Sequence, residues 1–256
     1  MTPSSLLLIV AALSGSSRAT EPEAWRSELA EEAAGAARAD PELAALVAEL
    51  GPVATRTGAP RFTDGRLETP LATPLLLERA LGTPDPALRA ALVEVAARAG
   101  GAWSGPVAAL VEADADARVR ALAAELLDDA DPAAAALGLP VGARDPDAGV
   151  RAAAMRAIGG REDGDAYRAL LAAGLADASP EVRRAAARSA GWLDQTQLYG
   201  AVAELLSDAD AEVRLSALHA AARLDGARLA ADPALTALVA DPDPRVSRAA
   251  LGARRE

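Results

Sequence analysis

The chain has no cysteine and no lysine, one histidine, one phenylalanine, and aromatics at only 2% of its residues. Without cysteine there are no disulfides, thiolate metal sites or cysteine nucleophiles, and the compartment is left open. The single histidine, His219, has no Ser or Cys partner at a recognisable motif, and no GxSxG, Walker loop, HExxH or Rossmann fingerprint occurs. Scarce aromatics force an interior of Ala, Leu and Val, which suits helices that approach closely; a β-rich fold would want more Ile, Tyr, Phe and Thr. Positive charge is also short, with 26 basic residues, all Arg, against 37 acidic ones and a net charge of -11. That balance argues against nucleic acid as a partner, since such binders carry a basic footprint. The Arg-only usage reads as a biased coding background. Beyond residue 13 no apolar run approaches the roughly 20 residues of a membrane span.

The first residues, MTPSSLLLIVAALSGSSRAT, hold an apolar run from Leu6 to Leu13 followed by small residues, with Ser17 and Ala19 at the -3 and -1 positions of a signal-peptidase site. Only the amino terminus supplies positive charge ahead of the run. Residues 1–19 are therefore expected to be a signal peptide, which makes the mature protein periplasmic or secreted; the plain alternative is an N-terminal helix on a cytoplasmic protein. Residues 22–50 place Leu29, Leu43, Leu46, Val47 and Leu50 at helix spacing, with Asp40 and Pro41 as N-cap and first position, so 20–72 is read as a helical cap followed by a connection. In that connection, 51–72, Gly and Pro break the helical pattern, and it carries Phe62.

From about Thr73 the chain repeats itself. An Arg preceded by Val or Leu returns at Arg89, Arg120, Arg151, Arg183 and Arg214, in steps of 31, 31, 32 and 31 residues, and Ser247 stands at that place 33 residues further on. Four residues before each anchor is a helix-capping residue: Asp85, Asp116, Asp147, Ser179, Asp210 and Asp243. Six before it is a further Asp (Asp114, Asp145, Asp177, Asp208, Asp241), with Thr83 in the first copy. The copy from Ser179 to Leu193 is the clearest. Ser179 is placed to cap, Pro180 needs no donor at the first helical position, Gly191 offers a left-handed exit, and Val182, Ala186, Ala190 and Leu193 make one apolar stripe. Between anchors there is room for one more short helix, such as DAYRALLAAGL from Asp165 or TQLYGAVAELL from Thr196.

Two short antiparallel helices cannot bury their own apolar face, so the copies must stack. The segments DASPEVRRAA, DADAEVRLSA, DPDAGVRAAA and DADARVRALA resemble the HEAT repeat, in particular the short bacterial kind named after phycobilin lyases, over residues 73–256. The resemblance implies an all-α, right-handed α-solenoid of about six helix pairs behind an N-terminal helical cap. It also implies that the first Asp and the anchor Arg form a ladder between adjacent repeats while the second Asp caps, a pattern that Asp177 with Arg183 and Asp208 with Arg214 fit. A calcium site is the competing reading of the doubled acids; the ladder is favoured, and no metal or cofactor is expected. HEAT-repeat iron hydroxylases use His-Glu pairs, which His219 followed by Ala220 does not supply.

Function must then be sought on the second helices, which in a HEAT solenoid line the concave surface. Counted from each cap at 100° per residue, offsets 3, 7, 10 and 14 point to the core and offsets 2, 5, 9 and 13 point away. The outward set gathers Glu181, Arg184, Arg188 and Trp192, then Glu212, Leu215, His219 and Arg223, then Arg245 and Arg248. From it, Arg184, Arg188, Trp192, Leu215 and His219 are expected to bind a partner protein through an acidic or extended segment, the competing reading being a solvated face. The chain is thus expected to be a non-catalytic scaffold or adaptor, the alternative being a lyase-type subunit active only with a partner chain.

Overall fold

The computed structural model describes residues 61–63, 66–68, 77, 80, 82, 84, 86–98 and 103–254. The chain divides into two compact units, with the division between Val107 and Ala108. In the first, strands β1 (Arg61–Thr63) and β2 (Arg66–Glu68) pair antiparallel with Phe62 opposite Leu67, and helix α1 spans Pro86–Arg98. The ribbon lies within the stretch 51–72 that the sequence reads as a connection. Its sequence signal is the Asp64-Gly65 dipeptide between two short β-compatible runs, the pair that two-residue hairpins favour. The expected signal peptide (1–19), the helical stretch 22–50 and the cap Asp85 lie outside the described residues.

Helix α2 (Ser104–Ala113) carries the division, and α3 (Ala117–Leu126), α4 (Pro132–Gly142), α5 (Ala148–Gly160), α6 (Arg168–Leu175), α7 (Pro180–Trp192), α8 (Tyr199–Glu204), α9 (Ala211–Ala230), α10 (Pro233–Leu238) and α11 (Pro244–Ala253) follow. Second helices α3, α5, α7, α9 and α11 each pack on the next, while α4, α6, α8 and α10 pack on the second helix that follows them. Two of the anticipated first helices are composite. A 3-10 turn at Gly164–Tyr167 leads into α6, and 3-10 turns at Thr196–Leu198 and Leu205–Ser207 flank α8. Helix α9 bends at Asp225, whose extended backbone (φ -165°, ψ 87°) breaks it and whose carboxylate accepts from the Arg228 amide at 2.9 Å. Within the second unit the result is an all-α solenoid of stacked helix pairs.

The core is written in columns. The offset-3 residues Val119, Val150, Val182, Val213 and Val246 are all buried, as are the offset-7 residues Ala123, Ala154, Ala186, Ala217 and Ala250. Valine supplies about 1.5–3 kcal/mol per buried side chain, and the alanine column lets the second helices close on one another. At one contact between second helices even a methyl is too much. A Cβ on Gly191 would stand 2.9 Å from Ala220 Cα and 3.0 Å from Ala220 Cβ. Gly191 therefore serves close packing inside α7 and is no left-handed exit; among the described non-glycine residues, Asp194 has positive φ, at 49°.

Caps follow the expected positions with one exception. Asp116, Asp147, Asp210 and Asp243 each accept from an amide of the first turn at 2.8–2.9 Å. Ser179 occupies the same place without a side-chain cap bond.

The ladder is present, shifted by one repeat from the expected pairing. Arg120, Arg151, Arg183 and Arg214 reach Asp145, Asp177, Asp208 and Asp241, with Nε–Oδ2 distances of 2.7, 2.8, 2.7 and 2.7 Å. Each Nη2 donates to the second carboxylate oxygen at 2.8–3.0 Å, completing a fork. Within its own repeat an anchor binds only backbone: Arg183 Nη1 donates to Asp177 O at 2.9 Å and Ala178 O at 3.0 Å. Each aspartate also accepts from the amide of the cap residue two positions on, as Asp208 does from Asp210 at 2.9 Å. The doubled acids are thus occupied by guanidinium and amide donors, and among the described residues no group of three metal-ligating side chains occurs. The Arg forks hold the carboxyls of Asp177, Asp208 and Asp241 below the usual carboxylate range. Burial pushes Asp145 up, but Arg120 and the Asp147 amide outweigh it and Asp145 too lies low.

Candidate functional site

Helices α7 and α9 lie parallel in neighbouring repeats, and their caps are 31 residues apart. Equal offsets therefore face one another in rows: Glu181 with Glu212, Arg184 with Leu215, Arg188 with His219, and Trp192 with Arg223. Between these two ridges runs a groove of about 340 Å³. All five residues singled out from the sequence, Arg184, Arg188, Trp192, Leu215 and His219, line it. Periodicity also places Arg98 and Glu94 on an outward face, but they sit on α1 in the other unit.

Trp192 is 65% exposed, so most of its indole is open to solvent beside the groove. It is held in place by Arg223. The Arg223 guanidinium carbon lies 5.9 Å from the centre of the indole ring, its Nε donates to Gly191 O at 3.0 Å, and its Nη2 is 3.8 Å from Asp194 Oδ1. Arg223 is visible in the periodic set, yet nothing local in the sequence marks it as a brace, because its carbonyl partner is 32 residues away.

Charge along this face falls into three zones. On one flank Arg156 sits between Glu125 at 3.6 Å and Glu181 at 3.9 Å. On the other, Arg245 pairs with Glu212 and with Asp243. Between them Arg184 and Arg188, one helical turn apart, form no hydrogen bond or ion pair through their side chains among the described residues. Arg188 and His219 are exposed, while Arg184, Leu215 and Glu212 are half-buried. An acidic protein thus keeps two uncommitted guanidinium groups beside an exposed indole. That combination binds carboxylates by fork-to-fork hydrogen bonds and apolar or aromatic groups by stacking.

Residues 168–253 match the family model described as HEAT repeats. Among solved structures, the chain is similar to that of the complex of CpcE and CpcF of phycocyanin lyase from Nostoc sp. PCC7120, at 21% identity and a TM-score of 0.53, over 75% of this chain and 78% of that one. It is also similar to the E. coli protein YibA, at 17% identity and a TM-score of 0.50, over 73% of this chain and 82% of that one. No curated protein matches it in sequence. No described helix is long and apolar enough to cross a membrane. The segment 168–253 is thus similar to HEAT repeats, and it carries the same cap, anchor and ladder that recur from Asp114 onward.

Proposed function

We propose that the protein is an interaction module that holds an acidic segment of a partner protein in the groove between α7 and α9. The observation that carries this reading is the pair Arg184 and Arg188, side by side and unpaired among the described residues, while Arg156, Arg223 and Arg245 around them are engaged by Glu181, Asp194 and Glu212. Charged side chains left without partners contribute nothing to folding, but they steer and select an oppositely charged ligand. Trp192 and Leu215 supply the apolar anchors that give such a contact its strength.

The test is the double change Arg184→Glu with Arg188→Glu. Neither side chain takes part in the core or the ladder, so the melting temperature stays within a few degrees of wild type. Capture of the partner from source-cell extract is lost. Equal capture by both proteins would show the ridge to be a solvated face. A coloured or small-molecule ligand copurifying with the wild type would favour a lyase-type subunit instead.

A further inference from the structure

His219 is the single histidine of a chain without cysteine. Imidazole and thiol, with the terminal amine, are the groups whose ordinary change of charge falls near neutral pH. The one side chain of that kind in this protein is exposed and lines the groove between α7 and α9.

Its surroundings on this face are largely cationic. Across the groove stands Arg188, in the same row, with Arg184 one turn nearer the cap of α7. On α9 itself Leu215 and Arg223 lie one turn to either side, Arg223 having Asp194 beside it, and Glu212 lies two turns back, engaged by Arg245. Asp225, beyond Arg223, accepts from the Arg228 amide past the bend. From α11 the outward offsets bring Arg245 and Arg248, and the place level with His219 is Gly252. Helix α8 brings the buried Tyr199 and Glu204, and α10 has no ionisable side chain. His219 itself forms no side-chain hydrogen bond or ion pair among the described residues.

A proton on this ring therefore lies near guanidinium groups and has no carboxylate bonded to it until a ligand brings one. An acidic side chain seated against Arg188 has His219 on its other flank, because the two residues look at each other from opposite walls. The carboxylate favours the protonated ring, and by linkage the protonated ring favours the carboxylate. We infer that capture of an acidic segment takes up a proton at His219, so that the groove holds its ligand more tightly in mildly acid than in mildly alkaline solution, an inference that rests on the protein being an interaction module.

Nothing else needed for capture changes across that window. Guanidinium stays charged, and the ladder aspartates, held below the usual carboxylate range by their Arg partners, stay ionised and keep the repeats joined. Uptake of one proton caps the effect at tenfold per pH unit. For a charge pair at the edge of solvent, a gain of about three- to tenfold between about pH 8 and about pH 5.5 is expected.

The experiment is fluorescence anisotropy of end-capped hexa-aspartate, carrying a pH-insensitive label, with the full chain at constant low ionic strength. Aspartate in such a probe stays ionised over this range. Wild type is expected to bind about three- to tenfold tighter at the acid end. His219→Gln is expected to bind at both ends as wild type does at the alkaline end, and His219→Arg at least as tightly at both as wild type at the acid end. Calorimetry in buffers of different ionisation enthalpy is expected to find proton uptake on binding to wild type and none on binding to His219→Gln. Because His219 is exposed, both variants are expected to keep the wild-type melting temperature. A flat wild-type profile, a slope retained by His219→Gln, or no binding of the probe at the acid end overturns the inference. If the probe depends on Arg184 and Arg188 but not on pH, the interaction reading stands and the proton is removed from it. If binding is indifferent to Arg184→Glu with Arg188→Glu, both fall together.

Discussion

Removing Arg183 tests whether the ladder, rather than apolar stacking alone, joins one repeat to the next. Its guanidinium makes four hydrogen bonds: two to Asp208 at 2.7 and 2.8 Å, and two to the carbonyls of Asp177 and Ala178 at 2.9 and 3.0 Å. The side chains of Arg183 and Asp208 are 17% and 7% exposed, so water reaches the pair only from one side. Breaking a fully buried pair costs about 3–5 kcal/mol. Allowing for that partial access, Arg183→Met is expected to cost about 2–4 kcal/mol, and the coupling energy in a double-mutant cycle with Asp208→Asn to be about 1–3 kcal/mol. Arg156 and Glu125 serve as the control, because at 3.6 Å and with side chains 41% and 55% exposed their coupling is expected below about 0.5 kcal/mol. Urea unfolding gives the free energies. Native-state hydrogen exchange shows whether the loss is local to α7 and α9, as it must be when repeats touch only their neighbours. A coupling for Arg183–Asp208 no larger than the control would refute the reasoning and leave the Val and Ala columns as the sole connection.

Acid is expected to loosen the array in a defined window. Asp177, Asp208 and Asp241 have folded pKa values held below the unfolded aspartate value by their Arg partners. The unfolded chain therefore binds more protons there, and the ladder's contribution is complete above about pH 4 and is lost as pH falls further; a flat melting temperature between about pH 5 and pH 2 would contradict this. Gly191→Ala is expected to cost about 1–3 kcal/mol from its contact with Ala220, whereas Gly200→Ala, with nothing within 4 Å, is expected to be neutral or to stabilise by up to about 1 kcal/mol; equal thermal shifts for the two would remove the packing explanation. We also propose export, with cleavage after Ala19: mass spectrometry of the native protein is expected to find Thr20 at the amino terminus and, with Arg18 gone, one positive charge fewer, and an intact Met1 or Thr2 would refute it.

Much of this architecture is legible in the sequence because a repeat states each of its rules several times. A capping Asp alone is a weak sign, but Asp116, Asp147, Asp210 and Asp243 at one phase fix where second helices start. The groove comes from the same phase, since offsets from a shared cap put Arg188 opposite His219 without knowledge of tertiary structure. Pairing in the ladder is not legible. Asp177 and Arg183 are six residues apart, which suggests partners, yet the folded turn offers Arg183 the carbonyl of Asp177 and points the carboxylate back to Arg151. Nor can Gly191 be read correctly, since a helix-terminal glycine and a helix-contact glycine look alike until the neighbour, Ala220, is known. The composite first helices escape because 3-10 and α turns share residue preferences over such short lengths.

The ladder has a direction. Every guanidinium from Arg120 to Arg214 points toward the carboxyl-terminal neighbour, and every carboxylate receives from the amino-terminal one. The two ends of any excised block are therefore chemically unlike, a hook at one and an eye at the other. Ser247, whose hydroxyl lies 3.4 Å from Pro244 O, stands where the next hook would be, and Leu251, at the offset where Ala187 and Leu218 are buried, is 45% exposed. Splicing a further repeat onto α11 thus calls for Ser247→Arg together with an aspartate two residues ahead of the new cap. Blocks joined head to tail in this way register themselves by charge, and blocks joined in the opposite sense set arginine against arginine.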